Sequence, residues 1–429
     1  MKSFSIFWFR RDLRLEDNIG LSQATKSKYP VIPIFIFDEK ITLNLPKNDT
    51  RINFIYKNLK KLDDLLLEKF NSKLQVFKGD PIDIINRIVK EYNIKEVYTN
   101  HDYEPYAIKR DSLICKNLKN NKIPFYTFKD QVIFEKKEVI KDNGSPYIVY
   151  TPYMRKWKET LKKNHLVLEH SELSNNFHNL NKYNLKEISE YGFEKNLSEV
   201  LNFDVSKKII EEYEKKRNFP SLNSTSKIGP FLRFGVISIR SLVKYVLKFD
   251  NDTFLNELIW REFFMQILFH FPNSSTNSFK SKYDNIKWVN DKKMFEAWKN
   301  GKTGFPIVDA GMNELNKTGF MHNRVRMITS SFLCKQLLID WRWGEKYFAL
   351  KLNDYEMSSN VGNWQWASGS GVDAAPYFRI FNPHTQIEKF DKNYDYINNW
   401  LDLKNNYPKE IVNHKEAREN CLKRYKMYV

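Results

Sequence analysis

Three side chains on one predicted helix have the chemistry to bind a nucleotide. In FLNELIWREFFMQILF, Glu257, Trp260 and Arg261 stand at i, i+3 and i+4 and share one face. A carboxylate and a guanidinium on an otherwise apolar helix are costly to bury without partners. An indole and an arginine together can stack on a base and hold a phosphate, which indicates a nucleic-acid site. A buried Glu–Arg pair capped by the indole is the structural alternative.

A second candidate lies in the stretch 360–386, NVGNWQWASGSGVDAAPYFRIFNPHTQ. Trp364 and Trp366 stand two residues apart and follow Asn360, and a run of small residues comes next. An indole carries an N–H that needs a partner, so Leu or Ile would serve a core better. The stretch therefore indicates a functional site, with an aromatic-rich helical core beside a Gly-Ser turn as the alternative.

An anion-binding segment is predicted at NSTSKIGPF. Thr225, Ser226 and Lys227 come shortly before Pro230, which suits a first helical turn. Hydroxyls and unpaired N–H groups at a helix start bind a phosphate or pyrophosphate. An ordinary helix cap is the alternative.

Arginines in one segment match acids in another. GFMHNRVRMITSSFL holds Arg324 and Arg326, and LNDYEMSSN holds Asp354 and Glu356. Their charges are complementary, which fits either structural salt bridges or a polar site.

Composition indicates a globular protein with a polyanionic partner. The chain has 429 residues, enough for two domains, with 41% hydrophobic and 28% charged residues. Its formal net charge of +18 favours a partner such as nucleic acid. No apolar run approaches the ~20 residues of a membrane helix, so we expect no membrane association.

Three cysteines, Cys115, Cys334 and Cys421, are far apart and form no C-x-x-C pair. They predict neither a metal site nor disulfides and fit a reducing compartment. Charged residues interrupt the N-terminus before a secretory apolar region is complete, so we expect a cytoplasmic protein. We also expect a monomer.

Residues 1–130 predict an α/β domain. Short apolar runs such as 4–9 and 31–37 alternate with amphipathic stretches such as 51–70. Strands buried on both faces and separated by helices form a doubly wound parallel sheet. No G-x-G-x-x-G follows the first strand, so a Rossmann dinucleotide site is not expected.

The rest of the chain predicts a connector and a helical domain. Residues 131–204 are polar with scattered apolar clusters, typical of a long connector. Residues 205–429 show helical patterning, with Ser238 as one N-cap, and hold eight of the ten tryptophans. The predicted fold class is thus α/β plus all-α.

Together these segments resemble the DNA photolyase and cryptochrome family, and they are most similar to class I cyclobutane pyrimidine dimer photolyases. The resemblance extends from WFRRDLRLEDN near the N-terminus to IVNHKEAR near the C-terminus, through LNELIWREF, KTGFPIVDAGM, MHNRVRMITSSFL and NWQWASGSGVDAAPYFRIFNP. It implies an N-terminal antenna domain and a C-terminal helical domain that binds FAD and catalyses a deoxyribodipyrimidine photo-lyase reaction.

The resemblance also implies which residues contact FAD. The pyrophosphate and ribityl chain would be held at Tyr213, Thr225, Ser226, Lys227, Ile228 and Gly229. The flavin ring and ribityl region would lie at Arg326, Asp354, Tyr355 and Glu356, with Asn360 facing flavin N5. Gly229 replaces a common serine and Glu356 a common aspartate, so these two contacts depart from the family pattern.

By the same resemblance, reduced FAD passes one electron to a cyclobutane dimer after absorbing near-UV or blue light, and the electron returns after the ring splits. The dimer leaves the duplex first, because it cannot reach a buried flavin while stacked. Trp260 and Trp366 would stack on it, and Glu257 and Asn323 would hydrogen-bond its base edges. The other implied substrate or DNA contacts are Arg217, Arg261, Arg324, Met327 and Gln386. Trp364, Trp341 and Trp288 match the electron relay that reduces the flavin in light.

The antenna chromophore is left open. Folate-binding members carry an Asn-Glu pair where this chain has Tyr106 and Ala107, which argues against methenyltetrahydrofolate. The EPY pattern resembles members that use a deazaflavin or flavin mononucleotide, and an antenna domain without a chromophore is the further alternative.

Three other functions compete with repair of cyclobutane dimers. A cryptochrome photoreceptor would usually have Asp or Cys at Asn360 and a C-terminal extension, so Asn360 and the end at Val429 favour the enzyme. A (6-4) photolyase would carry a histidine pair where this chain has Asn323 and Met327. A flavin-bearing DNA-binding protein without activity would not need the set Glu257, Trp260, Asn323 and Trp366.

Overall fold

A computed structural model describes residues 2–168 and 173–428, apart from the side chain of Asn164. The chain forms two compact units, each assembled from separate stretches. The first consists of Met1–Glu138, Thr160–Val200 and Ile228–Lys248. The second consists of Val139–Glu159, Leu201–Lys227 and Phe249–Val429. Residues 169–172 of the predicted connector lie outside the described residues.

Strands occupy the N-terminal part of the described chain: β1 (Ser3–Phe9), β2 (Val31–Asp38), β3 (Gln75–Gly79), β4 (Asn93–Asn100) and β5 (Phe125–Phe128). The α-helices within the described residues are α1 (Ile19–Thr25), α2 (Glu39–Thr42), α3 (Thr50–Phe70), α4 (Pro81–Glu91), α5 (Pro105–Asn120), α6 (Tyr150–Thr160), α7 (Lys207–Lys216), α8 (Gly229–Arg233), α9 (Ile239–Val246), α10 (Asp252–His270), α11 (Lys292–Lys299), α12 (Pro306–Thr318), α13 (Asn323–Ser331), α14 (Trp341–Lys351), α15 (Met357–Ser368), α16 (Pro383–Phe390), α17 (Asp395–Trp400) and α18 (His414–Tyr428). Short 3-10 turns cover Lys163–Leu166, Ile188–Tyr191, Pro272–Ser275 and Ser281–Asn285, and a π-helical turn covers Phe332–Gln336.

The first unit is built on a parallel sheet with the strand order β3-β2-β1-β4-β5. β1 pairs in parallel with β2 and β4, so Phe7 stands opposite both Pro33 and Tyr98. One apolar cluster covers each face of the sheet, because alternate strand residues point to opposite sides. The predicted doubly wound sheet is confirmed, as is the helical character of the C-terminal part.

Residues 228–248 pack with the first unit through buried ion pairs. The Arg240 guanidinium donates to Asp17 Oδ2 at 3.0 Å and to Asp130 Oδ1 at 2.8 Å. Arg14 also donates to Asp130, at 2.8 Å from each oxygen. The two units therefore do not follow the predicted limits at residues 130 and 204, since these pairings join positions far apart in the sequence. The division into an antenna domain (1–130), a connector (131–204) and an FAD-binding domain (205–429) stays a prediction.

The second unit is centred on α10 and on an aromatic cluster around α14 and α15. Asn251 caps α10, where its side chain accepts from Thr253 N, and α10 is buried over most of its circumference. Gly362 lets α15 approach α10 closely, because a Cβ atom there would overlap Phe264. Gly369 ends α15 with a φ of +91°, a conformation that glycine adopts without strain. These contacts fix the faces of α10 and α15 that carry the predicted site.

Gly344 on α14 provides a test of this packing. A Cβ at this position would overlap the Trp364 indole and lie 2.6 Å from Leu333 Cδ2. We expect Gly344→Ala to lower the free energy of unfolding by about 1–3 kcal/mol, because the core around Trp364 has no room for another methyl group. Denaturant titration measures this, and Gly344→Ala combined with Trp364→Phe should recover part of the loss. Unchanged stability in Gly344→Ala would contradict the packing.

Two features are absent from the part of the chain that the structure describes. No helix there is long and apolar enough to cross a membrane. No group of three or more His, Cys, Asp or Glu side chains in residues 2–168 and 173–428 is arranged to hold a metal ion.

Candidate functional site

The charged residues of α10 pair with other segments of the second unit. Arg217, at the C-terminal end of α7, forms an ion pair with Glu257, and Arg261 lies with its Nε 3.5 Å from Glu356 Oε2. Each of these two α10 side chains thus has a charged partner from another segment of the second unit. Burial raises the pKa of Glu257 and Arg217 opposes this shift. The pair leaves a charged, half-buried edge beside the indole of Trp260.

Trp260 is half-buried and lies in an aromatic group that the sequence did not predict. The ring of Tyr150, at the start of α6, stacks on it with the centroids 3.6 Å apart and the planes 8° apart. Phe264 lies tilted at 5.4 Å and Phe263 edge-on at 5.6 Å. Phe264 in turn packs against Gly362 of α15. One face of the indole is thus covered within the protein.

α15 carries the predicted flavin-facing residue and two indoles. Asn360 is buried, and its Nδ2 donates to the Glu345 main-chain oxygen at 3.1 Å and to Glu345 Oε1 at 2.9 Å. The carbonyl Oδ1 of Asn360 has no hydrogen-bond partner among the described residues. Trp364 is buried, whereas Trp366, half a turn further, is half-buried. The helix therefore exposes one indole and encloses the other.

Glu345 was missed in the sequence because it lies 15 residues before Asn360 on another helix. Burial raises the pKa of its carboxyl group, and the hydrogen bond from Asn360 opposes the shift. We expect Glu345→Leu to destabilise the protein by about 1–3 kcal/mol, since it removes the side-chain acceptor of a buried amide. It should also change the absorption band of bound FAD, because the Asn360 amide then keeps only its bond to the main-chain oxygen of residue 345 and is held less firmly. Glu345→Gln keeps an acceptor and should behave like the unmodified protein; the same spectrum and stability for Glu345→Leu would disprove the anchoring role.

An arginine–aspartate contact joins α13 to the segment before α15. Arg326 Nη1 lies 3.2 Å from Asp354 Oδ1, and Nη2 lies 2.9 Å from Oδ2, so the pair is bidentate. Arg326 Nε also donates to Met321 O at 2.7 Å. Tyr355 packs against the aromatic cluster, and Glu356 is buried and immediately precedes α15 as its N-cap residue. The structure brings these predicted residues together, whereas their contact with FAD stays a prediction.

The start of α13 presents polar groups beside the α10 edge. Arg324 Nη2 donates to Asn218 Oδ1 at 2.7 Å, and its guanidinium lies 4.4 Å from the Phe390 ring centroid. Burial and then the nearby Arg217 lower the pKa of Arg324. Asn323 is exposed, and its side chain makes no hydrogen bond with a described residue. Two further predicted contacts, Met327 and Gln386, are half-buried on α13 and α16.

His322 caps α13 and is buried, with Nδ1 accepting from Arg324 N at 3.2 Å. Burial, Arg326 and Arg324 lower its pKa from 6.5 to about 4, and the nearby Glu314 accepts its main-chain N–H. The folded state disfavours the charged ring. The contribution of the neutral His322 to the free energy of unfolding is therefore fully present above pH 6.5 and is lost as the pH falls toward 4. The shift corresponds to at most about 3 kcal/mol. His322→Asn keeps a cap and should flatten the stability profile between pH 6.5 and 4; an unchanged profile would contradict the assignment.

The predicted phosphate segment is split between the two units. In the second unit, Lys227 has a φ of +52° and its Nζ donates to Asn223 Oδ1 at 2.6 Å. The hydroxyls of Thr225 and Ser226 make no hydrogen bond with any described residue. Ile228 and Gly229 belong to the first unit, where Ile228 O accepts from Leu232 N at 3.1 Å and Gly229 begins α8.

Tyr213 on α7 lies beside the Glu257–Arg217 pair. Its ring meets Phe254 edge-on at 5.1 Å, and the Arg217 guanidinium lies 5.8 Å from its centroid. Burial raises the pKa of the Tyr213 hydroxyl, and Glu257 adds to the shift. Tyr213 therefore stays protonated and can donate a hydrogen bond.

The three predicted relay tryptophans share one cluster and differ in burial. Trp364 and Trp341 are 2% and 1% exposed, whereas Trp288 is half-buried. No two of them make a ring contact within the described residues; Trp364 instead meets Phe348 at 4.9 Å and Trp298 at 6.1 Å. Two buried indoles and one that reaches the surface suit electron transfer from the surface inward, and the relay itself stays a prediction.

The two positions that distinguish folate-binding members have structural contacts in the first unit. Tyr106 donates to Asp38, whose oxygens lie 2.8 and 3.0 Å away, and Arg110 also donates to Asp38 at 3.2 Å. Ala107 is buried. The antenna chromophore remains open.

Comparison with known proteins gives consistent matches along the chain. The family model for the FAD binding domain of DNA photolyase matches residues 254–403, and the DNA photolyase model matches residues 5–172. Deoxyribodipyrimidine photo-lyase from Alkalihalophilus pseudofirmus is 35% identical, over 96% of this chain and 89% of that protein. An archaeal photolyase from Sulfolobus tokodaii with two FAD molecules is 34% identical, with a TM-score of 0.84 and 99% of each chain covered. A cryptochrome from Synechocystis is 25% identical, with a TM-score of 0.85 and 99% of each chain covered.

The FAD prediction is confirmed by the matching domain, and the second unit contains donors that fit this cofactor. The Thr225 and Ser226 hydroxyls can donate to a pyrophosphate, and Lys227 supplies positive charge beside them. Asn360 offers a fixed amide oxygen without adding a charge. The bidentate Arg326–Asp354 pair supplies both donors and acceptors. Binding of FAD by these particular residues is our proposal.

Proposed function

Because the chain belongs to the DNA photolyase family, we propose that it repairs cyclobutane pyrimidine dimers in UV-damaged DNA by light-driven electron transfer from reduced FAD. The observation that carries this proposal is the half-buried indole of Trp260 beside the Glu257–Arg217 ion pair. An indole and a paired carboxylate can hold an extruded base by stacking and by hydrogen bonds to its edge.

Reduced FAD, when bound, supplies the electron that opens the cyclobutane ring. The protein supplies position and environment. Thr225, Ser226 and Lys227 would bind the pyrophosphate, with Tyr213 nearby as a donor. Asn360, held by Glu345, would accept a hydrogen bond without bringing a charge to the flavin ring, which favours the reduced form.

The proposed lesion contacts come from four helices of the second unit, α10, α13, α15 and α16. Trp260 and Trp366 would stack on the dimer, and Glu257 and Asn323 would bind its base edges. Arg261, Arg324, Met327 and Gln386 would complete the pocket and its rim. Asn323 has an unpaired amide among the described residues, and Gln386 has a buried Oε1 without a partner there, so both can still accept a ligand. The net charge of +18 favours DNA as the partner.

The residues at the start of α13 support a cyclobutane dimer, and not a (6-4) lesion, as the substrate. Asn323 and Met327 occupy α13 where (6-4) photolyases place a histidine pair. The neighbouring His322 is buried, and burial lowers its pKa to about 4, so it is neutral at physiological pH. A neutral, buried cap is poorly suited to donate a proton to a lesion.

Damage-selective binding in the dark tests the proposal without relying on turnover. The FAD-loaded protein should bind an oligonucleotide with a thymine dimer more tightly than the same strand undamaged or with a (6-4) lesion. Equal affinity for the thymine-dimer, undamaged and (6-4) strands would show that the proposed residues do not form a lesion pocket. Tightest binding of the (6-4) strand would assign the other lesion.

A cryptochrome photoreceptor is the second candidate, favoured by the structural similarity to the Synechocystis cryptochrome. Against it stands Asn360, whose amide cannot hand a proton to the flavin as a carboxylic acid can. Light-dependent binding of a protein partner without any damage preference would support this candidate. A cytoplasmic location and a monomeric state stay predictions.

A further inference from the structure

Trp260 makes its closest ring contact with Tyr150, a residue of the segment that the sequence predicted to be a connector. The two rings are nearly parallel, with centroids 3.6 Å apart and planes at 8°. The remaining ring contacts of Trp260 within the described residues are with Phe263 and Phe264 of its own helix. Tyr150 therefore covers one face of the Trp260 indole, and the tyrosine comes from α6 and not from α10.

Tyr150 is itself held on two sides. Its hydroxyl donates to Asn256 O at 2.7 Å, one helical turn before Trp260, and its main-chain N–H donates to Asp373 Oδ2 at 3.2 Å. The residue is 7% exposed. A buried ring with both polar groups bonded cannot easily leave the indole, so the stack restrains Trp260 as well.

The position of Tyr150 also places it beside the proposed lesion contacts. Burial raises the pKa of its hydroxyl, Glu257 adds to the shift, and Arg217 opposes it. The hydroxyl therefore stays protonated and keeps its bond to Asn256. The same ring thus touches the stacking residue and lies within electrostatic range of the ion pair.

We propose that Tyr150 is a positioning residue for damage recognition, which fixes the Trp260 indole so that the opposite ring face is presented to an extruded pyrimidine. This inference rests on the proposed function. Its physical basis is pre-organisation: an indole that is already immobile loses less conformational freedom when a base stacks on it. The start of α6 thereby contributes to the lesion pocket without touching the lesion.

Three variants of the FAD-loaded protein test the proposal. Tyr150→Leu removes the stacking ring, Tyr150→Phe keeps the ring and loses the hydroxyl, and Tyr147→Leu removes a half-buried ring of the same segment that lies against Tyr153. Affinity is measured in the dark for a thymine-dimer oligonucleotide and its undamaged counterpart. Tyr150→Leu should weaken dimer binding roughly fivefold and leave undamaged binding unchanged. Tyr150→Phe and Tyr147→Leu should both retain the preference.

A second readout does not depend on DNA. With 5-fluorotryptophan incorporated, the ¹⁹F resonance of Trp260, assigned with Trp260→Phe, should be a single line in the unmodified protein and should shift and broaden in Tyr150→Leu. An unchanged line would overturn the positioning role, as would full dimer preference in Tyr150→Leu. Tighter dimer binding by Tyr150→Leu would also overturn it, because Tyr150 would then occupy the place of the base. If the unmodified protein shows no dimer preference, the proposed function fails, while the ¹⁹F line still tests the effect of Tyr150 on Trp260.

Discussion

Trp364→Phe should abolish light-driven reduction of the bound flavin and leave repair by chemically reduced protein intact. Trp364 is buried in the second unit between Phe348 and Trp298, so a phenyl ring can occupy the same position. A phenyl ring is much harder to oxidise than an indole, and it therefore interrupts electron supply without removing the cofactor. The measurement is the flavin absorption spectrum under blue light with an external reductant, followed by repair after reduction with dithionite.

Trp298→Phe is the matched control for this prediction. Trp298 is also fully buried, contacts Trp364 at 6.1 Å, and donates its Nε1–H to Thr329 O at 3.1 Å. It is not one of the predicted relay residues, so Trp298→Phe should still be reduced by light. Normal photoreduction in Trp364→Phe would reject the relay. Loss of photoreduction in Trp298→Phe alone would move the route to a different indole.

Trp366→Ala should weaken binding of a thymine-dimer oligonucleotide by about 1–3 kcal/mol, which is roughly 5- to 150-fold. Trp366 is half-buried on α15, and it makes no aromatic ring contact within the described residues, so its ring is available to stack on a base. The flavin spectrum should not change, because the proposed cofactor contacts lie on other residues. Equilibrium titration in the dark measures the affinity.

Trp343→Ala serves as the control for the loss of a half-buried indole. Trp343 lies edge-on to Phe295 at 5.2 Å on α14 and belongs to none of the predicted contacts. Trp343→Ala should leave the affinity for the thymine-dimer oligonucleotide unchanged. Unaltered affinity in Trp366→Ala would remove this residue from the pocket, and an equal loss in both variants would indicate a general effect on the fold.

Local patterns predicted the elements of the site better than their pairings. The i, i+3, i+4 spacing placed Glu257, Trp260 and Arg261 on one face of α10, and the apolar runs predicted the parallel sheet. The sequence did not indicate which residue pairs with Glu257, because Arg217 reaches it from 40 residues away and helix periodicity carries no information about such contacts.

Two residues of the site were absent from the sequence prediction for the same reason. Tyr150 lies in a polar stretch, 110 positions before Trp260, and only the folded chain brings the rings together. Glu345 is a single acid on α14. Its role depends on a hydrogen bond from the buried amide of Asn360, which lies on another helix. A tyrosine in a polar connector, or a carboxylate on an otherwise aromatic helix, is too common to be distinguished without the structure.

The most direct test of the account is restoration of thymines from a cyclobutane dimer. Protein with chemically reduced FAD is mixed with a thymine-dimer oligonucleotide, and restored thymines are followed by absorbance near 260 nm and by chromatography, under blue light and in the dark. We expect restoration under blue light alone, with no conversion of a (6-4) oligonucleotide in parallel. No restoration under light, by protein that holds reduced FAD and binds the dimer, would contradict it.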